Sequence, residues 1–172
     1  FFGEGIVGHV SFAEPYCCEL RTTVLAAARE AGAVVHEKGT LVCMEGPMFS
    51  TRAESMLYRS WNADIIGMTV LPEAKLAREA EIAYATLALV TDYDCWRDTG
   101  EAVHTEMVVE TMKANNETAR RIVRIIASHQ ERLPRECSCT QAARQAVMTE
   151  RSLFPKKTVK KLSLLYGKYW NQ

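Results

Sequence analysis

A short apolar run, Ile82 to Val90, gives way to Thr91-Asp92-Tyr93-Asp94-Cys95-Trp96. Residues two apart on an extended chain point the same way, so Asp92 and Asp94 are predicted to face one space. Two carboxylates sharing a space disfavour being ionised together, and one of such a pair can serve as a general acid. Ordinary turn residues are the alternative reading of the pair, because aspartate is common in turns. A divalent metal site is a weaker third, since no histidine stands nearby.

Two further clusters carry comparable chemistry. Asp64 to Val70, DIIGMTV, ends in Met68, which could lie along a sugar face, and Thr69, whose hydroxyl and backbone N–H could meet an anion. Equally, such a Met can be core and such a Thr a helix cap. In Glu45-Gly46-Pro47-Met48-Phe49-Ser50-Thr51 a strand turns into a helix, presenting an aromatic ring and two hydroxyls beside a positive helix end. Phe49 could instead be a hydrophobic staple, and Ser50 or Thr51 merely the cap.

These clusters need elements to hold them. Leu20, Val24, Ala27, Ala28 and Ala31 recur at helical spacing, with Gly32 as the stop. Thr40 to Met44 reads as a buried strand. Thr51-x-x-Glu54 fits a capping box for a helix that ends near Asn62 and buries Ala53, Met56, Leu57 and Trp61. Strand 64–70, a helix around Glu73 to Ala80 and strand 82–90 follow, then a long helix from about Thr105 to Ser128 with Val108, Met112, Ala119, Ile122, Val123 and Ile126 on its face. Gln141 to Met148 reads as a short helix, and the basic tail from Phe154 to Trp170 as a solvated helix or loose tail. Apolar strands joined by a helical crossover predict an α/β class with a mostly parallel sheet covered on both faces. Ligands of such sheets bind beyond the carboxyl ends of the strands, where all three clusters lie.

Composition narrows the function classes. The 172 residues are 48% hydrophobic, enough for a core, and carry 21 basic and 21 acidic side chains. No global field draws such a chain to nucleic acid or an anionic membrane, and no apolar run spans a bilayer. A soluble intracellular protein is expected, and a start at Phe1 without an initiator Met predicts a fragment or processed chain. The six cysteines match neither a paired zinc spacing nor a small disulfide scaffold and read as reduced thiols, with a local Cys137–Cys139 disulfide as the alternative. The four histidines share no metal-ligand spacing, and no G-x-G-x-x-G, phosphate-binding P-loop or G-x-S-x-G is present.

Taken together, E-G-P-x-F-S-x-R-A-E-S at 45–55, M-T-x-x-P-E at 68–73 and T-D-Y-D-C-W at 91–96 resemble the purine nucleoside phosphorylase family. The last of these, with H-V-S-F-A-E-P-Y-C at 9–17, resembles its methylthioadenosine branch. The similarity runs from about His9 to Ser128, leaving 134–172 as a divergent C-terminal helix and basic tail.

The resemblance implies a three-layer α/β sandwich, of which 1–172 is the C-terminal part, assembled as a cytoplasmic homotrimer with the nucleus as a further compartment. It implies conversion of methylthioadenosine and phosphate to adenine and methylthioribose 1-phosphate, without metal or organic cofactor and without nucleic-acid or membrane partners. By motif matching Asp92 protonates the purine at N7 and Asp94 meets its N6 side. Tyr93, Phe49 and Ser50 join the base site, Met68 touches the ribose and Thr69 the phosphate. Val103 and Thr105 line the methylthio end, and His9 and Leu153 reach the 5′-substituent from a neighbouring subunit. Thr105 departs from the apolar residue often found there and Gly67 from the usual Asn, which leaves adenosine open as a substrate. The family's Gly-rich phosphate loop and Arg-His pair belong to the part of the fold before Phe1. A 6-oxopurine phosphorylase would carry Asn at position 92, and a non-catalytic nucleoside-binding relative is the alternative outside enzymes.

Overall fold

A computed structural model describes residues 1–97 and 105–170. The elements are α1 (Cys18–Glu30), β1 (Leu41–Cys43), α2 (Arg52–Ser60), β2 (Ile65–Gly67), α3 (Val70–Glu79), α4 (Thr105–Ser128) and α5 (Lys156–Trp170), with single 3-10 turns at Gln130–Arg132, Ser138–Gln141 and Arg151–Leu153. The chain forms two compact units: one of residues 1–21, 72–85 and 134–172, the other of residues 22–71 and 86–133. Among the described residues no helix is long and apolar enough to cross a membrane.

In the second unit β1 and β2 pair in parallel, Leu41 opposite Ile65 and Cys43 opposite Gly67, with α2 between them in sequence. An α/β protein with parallel strands is therefore what the sequence builds. The capping box of α2 forms as predicted: the Thr51 hydroxyl accepts from the Glu54 N–H at 3.2 Å and the Glu54 carboxylate accepts from the Thr51 N–H at 2.7 Å. Gly32 takes φ +74°, letting the Ala33 N–H reach the Ala28 carbonyl at 3.0 Å and close α1. Asn62 and Glu81 end α2 and α3 in the same way, with φ of 58° at each. A non-glycine residue in this region is disfavoured, and Glu81 offsets that through its carboxylate, which accepts from the Ala143 N–H at 2.9 Å and the Tyr169 hydroxyl at 2.7 Å and pairs with Lys168.

The long helix α4 buries most of its predicted face, the half-buried Val108 included, but not all of it. Among the described residues of α4 Ile122 is the buried one, and Asn115, Thr118, Ala119, Ile125 and Ile126 are half-buried, whereas Met112 and Val123 point to solvent. The small residues Ala27 and Ala28 of α1 let Ile122 approach closely, and Leu87 and Val35 complete that core.

Four other expectations are corrected. Residues 82–90 form no strand; the Val90 carbonyl accepts from the Asn115 side chain instead of a ladder partner. The strands are half-buried, because in a two-stranded sheet each leaves one edge unpaired among the described residues. On α2 the residues Ala53, Met56, Leu57 and Trp61 are exposed, and Ser55 is the buried one. Residues 141–148 form turns after a 3-10 segment, where Thr140 and Ala142 bond back to the carbonyls of Cys137 and Cys139.

In the first unit the basic tail is a packed helix. The face Thr158, Leu162 and Tyr166 of α5 is buried while its lysines spread over the other sides. Tyr166 stacks on Phe2 with centroids 4.7 Å apart, packs with Ala143, Ala146 and Trp170, and donates its hydroxyl to the Glu79 carbonyl at 2.8 Å.

Candidate active site

Three chain segments meet beyond the carboxyl ends of β1 and β2. The Met44 N–H donates to the Gly67 carbonyl at 2.9 Å, carrying the pairing one residue past the strands. There Gly46 lies so close to Met68 that a Cβ on Gly46 would sit 2.9 Å from its sulfur, so only glycine fits without displacing Met68. The Ser50 hydroxyl donates to the Met44 sulfur at 3.5 Å, and the Cys95 thiol to the Ser50 carbonyl at 3.4 Å. Segments 44–51, 67–69 and 91–97 are thereby joined in one cluster.

Within it the candidate residues keep distinct environments. Phe49 is 87% exposed, Ser50 half-buried, and Met68 half-buried beside the exposed Thr69, which immediately precedes α3. Asp92 is exposed and accepts from the Thr91 hydroxyl at 2.6 Å. Asp94 is half-buried and accepts from the Cys95 N–H at 2.8 Å, while its carbonyl accepts from the Arg97 N–H at 3.2 Å. The chain bends and turns through 92–96, so the strand alternation that predicted a shared face for the two carboxylates does not operate; each is held by its own local donor. Tyr93 stands edge-on to Trp96, and the guanidinium of Arg97 covers its ring at 4.0 Å.

The family model for the phosphorylase superfamily covers residues 1–128. The chain belongs to the phosphorylase superfamily. A curated relative, S-methyl-5′-thioadenosine phosphorylase of Geobacter sulfurreducens, is 48% identical over 98% of this chain and 59% of its own length. The crystal structure of a methylthioadenosine phosphorylase from an antarctic soil metagenomic library superposes with a TM-score of 0.85 at 44% identity, covering 95% of this chain and 58% of that one. A variant of the adenosine/methylthioadenosine phosphorylase of Schistosoma mansoni, solved with methylthioadenosine, gives a TM-score of 0.68 at 33% identity, over 75% of this chain and 48% of that one. The chain thus spans from 48% to 59% of the length of these relatives.

In this phosphorylase-superfamily chain, two side chains that the sequence did not single out brace residues 90–97. Arg59 of α2 lies 3.5 Å over the Trp96 ring, a cation–π contact that fixes the 91–97 segment beside α2. Asn115 of α4 donates to the Val90 carbonyl at 2.9 Å, just before Asp92, and with Thr91 and Leu89 lines a cavity of about 90 Å³. The available signal was the polar set Thr111, Asn115 and Thr118, spaced four and three along an otherwise apolar helix face.

The remaining predicted residues are not among these three linked segments. His9 and Leu153 belong to the first unit, where His9 donates its N–H to the Ala146 carbonyl at 2.7 Å and lines a cavity of about 430 Å³ with Arg144 and Gln145. Leu153 is exposed at the end of a 3-10 turn. Thr105 begins α4, while its side chain and the whole of Val103 lie outside the described residues.

Proposed function

We propose that an enzyme of the relatives' full length carrying this chain phosphorolyses S-methyl-5′-thioadenosine. Phosphate oxygen bonds to C1′ as the C1′–N9 bond breaks, and the products are adenine and 5-methylthioribose 1-phosphate. The observation that carries the reading is the linked cluster of 44–51, 67–69 and 91–97, which gathers an exposed aromatic ring, hydroxyls and two carboxylates at the strand ends. Asp92 donates a proton to N7, so adenine departs neutral, and Asp94 accepts from the N6 amino group. Phe49 and Tyr93 flank the base beside Ser50. Met68 lies along the ribose, which carries positive charge as the bond breaks. Thr69 and the N–H groups at the start of α3 take phosphate beneath it, where a helix end favours an anion. Val103 and Thr105 border the methylthio group. In this reading the enzyme is a cytoplasmic and nuclear homotrimer whose His9 and Leu153 complete a neighbour's 5′ pocket. Phosphate is a co-substrate, and no organic cofactor or catalytic metal takes part.

Asp92→Asn in the full-length enzyme tests the assignment. Loss of the acid lowers kcat for methylthioadenosine by about 10²- to 10⁴-fold with little change in KM. With inosine the new amide can donate to the base, so the loss is smaller. An unchanged kcat for methylthioadenosine in a folded variant removes Asp92 from the role.

A further inference from the structure

Three thiols that are scattered in the sequence converge in the first unit. The sulfurs of Cys17, Cys137 and Cys139 all lie within 4.8 Å of one another, and the residues are 1%, 4% and 5% exposed. None of them belongs to the cluster proposed for phosphorolysis. As plain packing, three small polarizable side chains against Leu20 and Ala83 would suffice. Their surroundings go further than packing requires.

We propose that Cys17, Cys137 and Cys139 form a structural site for one divalent thiophilic cation of the zinc type, held through three thiolates. Metal–sulfur bonds of about 2.3 Å at tetrahedral angles put the sulfurs about 3.8 Å apart, so the thiols need close by about 1 Å at most. Their backbones are already anchored. The Cys17 N–H donates to the Tyr84 carbonyl at 2.8 Å, the Cys137 carbonyl accepts the Thr140 hydroxyl at 2.9 Å, and the Cys139 carbonyl accepts the Ala142 N–H at 3.2 Å.

Charge selects the cation. Three thiolates and a divalent ion leave one negative charge, and the Arg78 guanidinium lies 3.8 Å from the Cys139 sulfur to balance it. A monovalent ion such as Cu(I) would leave two negative charges in a buried place. The Leu20 N–H donates to the Cys17 sulfur at 3.4 Å, a further outer contact that favours a thiolate. The Cys17 thiol in turn donates to the exposed Glu19 carboxylate at 3.2 Å, a contact that metal binding would break. In the metal-free protein burial pushes the Cys17 thiol up to about 12 and raises Cys139 as well, so binding is an exchange: three S–H bonds break, three metal–sulfur bonds form, and three protons pass to solvent. The closed site ties the segment before α1 to the segment before α5, which gives it a stabilising role.

Zinc(II) titrated into the full-length protein, reduced with a phosphine under anaerobic conditions, against a chromophoric chelator measures the site directly. One equivalent should bind, cobalt(II) in its place should show thiolate charge-transfer bands, and apparent affinity should rise with pH. Cys17→Ser or Cys139→Ser should weaken binding by more than the ~100-fold that losing an outer partner costs, Arg78→Gln by ~10- to 100-fold, and Cys18→Ser not at all. X-ray absorption of the wild-type zinc complex, with three sulfurs expected at about 2.3 Å, tests the ligand set independently where a serine variant does not fold. Zinc binding that survives Cys17→Ser, no binding at all, or a disulfide among the three thiols in metal-free protein isolated without reductant would each overturn the proposal. Cu(I) retained with zinc excluded would overturn the choice of a divalent ion.

Discussion

Tyr166 and Phe49 are both large aromatic residues, yet one is 1% exposed and the other 87%. Around Tyr166 the first unit satisfies itself: the ring stacks on Phe2 and the hydroxyl reaches the Glu79 carbonyl. Around Phe49 the second unit leaves Met48, Tyr93 and the α2 face of Met56, Leu57 and Trp61 open, while the polar groups behind them are tied down. Burial of an aromatic side chain stabilises a fold; exposure on a braced loop offers a surface for something else to cover. Under the proposed function the contrast divides residues kept for stability from residues kept for binding, and substitutions can test it.

The largest effect is expected at Tyr166→Ala. Removing a fully buried ring costs about 3–5 kcal/mol, measured by urea denaturation, while kcat/KM per folded molecule should hold near the wild-type value. A stable variant with damaged turnover would reverse the assignment of that region. At Phe49→Ala the expectation is opposite: the urea midpoint stays put, and adenine affinity falls by the ~1–3 kcal/mol typical of lost base stacking, read by calorimetry. Unaltered adenine affinity would make Phe49 a bystander.

These two residues also show what was legible in the chain. The exposed Phe49 stands where its neighbours signal locally: the Thr51–Glu54 box begins two residues later, and such a pattern needs no knowledge of the rest of the fold. Gly32 and the span of α4 were readable for the same reason. Tyr166 was hidden among lysines, and only its partners at Phe2, Ala143 and Glu79 turn a basic stretch into a core helix. The same holds for Cys17, whose companions are more than a hundred residues away, and for residues 82–90, whose apolar run fits a strand but whose Val90 carbonyl goes to Asn115. Asp92 and Asp94 were legible as neighbouring carboxylates and not as a shared face, because the turn at 92–96 replaces the strand that would have aligned them.

A smaller effect sharpens the comparison inside the second unit. Thr51→Ala removes one half of the α2 capping box and should cost about 1 kcal/mol, by the usual worth of such a cap. Because α2 also carries Arg59 under Trp96, amide exchange should quicken in α2 and in 91–97 together. Protection lost in α2 alone would show that the two are not coupled. The smallest effect is a pH response of the same cap. Hydrogen bonds from the Thr51 backbone and hydroxyl hold the Glu54 carboxyl below its ordinary value, so its contribution is present above about pH 4.3 and disappears as the pH falls through the lower folded value. The Thr51 amide resonance, followed by NMR during acidification, should report that loss; a shift unchanged to the point of unfolding would count against the box in solution.

The near-contact of Gly46 with Met68 makes two positions share one volume. Any side chain at 46 must move the Met68 thioether from its present place. Position 68 therefore sets how large residue 46 can be, and residue 46 limits how far 68 can retreat. Inheritance should couple them, with a larger residue at 46 found more often beside a shorter one at 68.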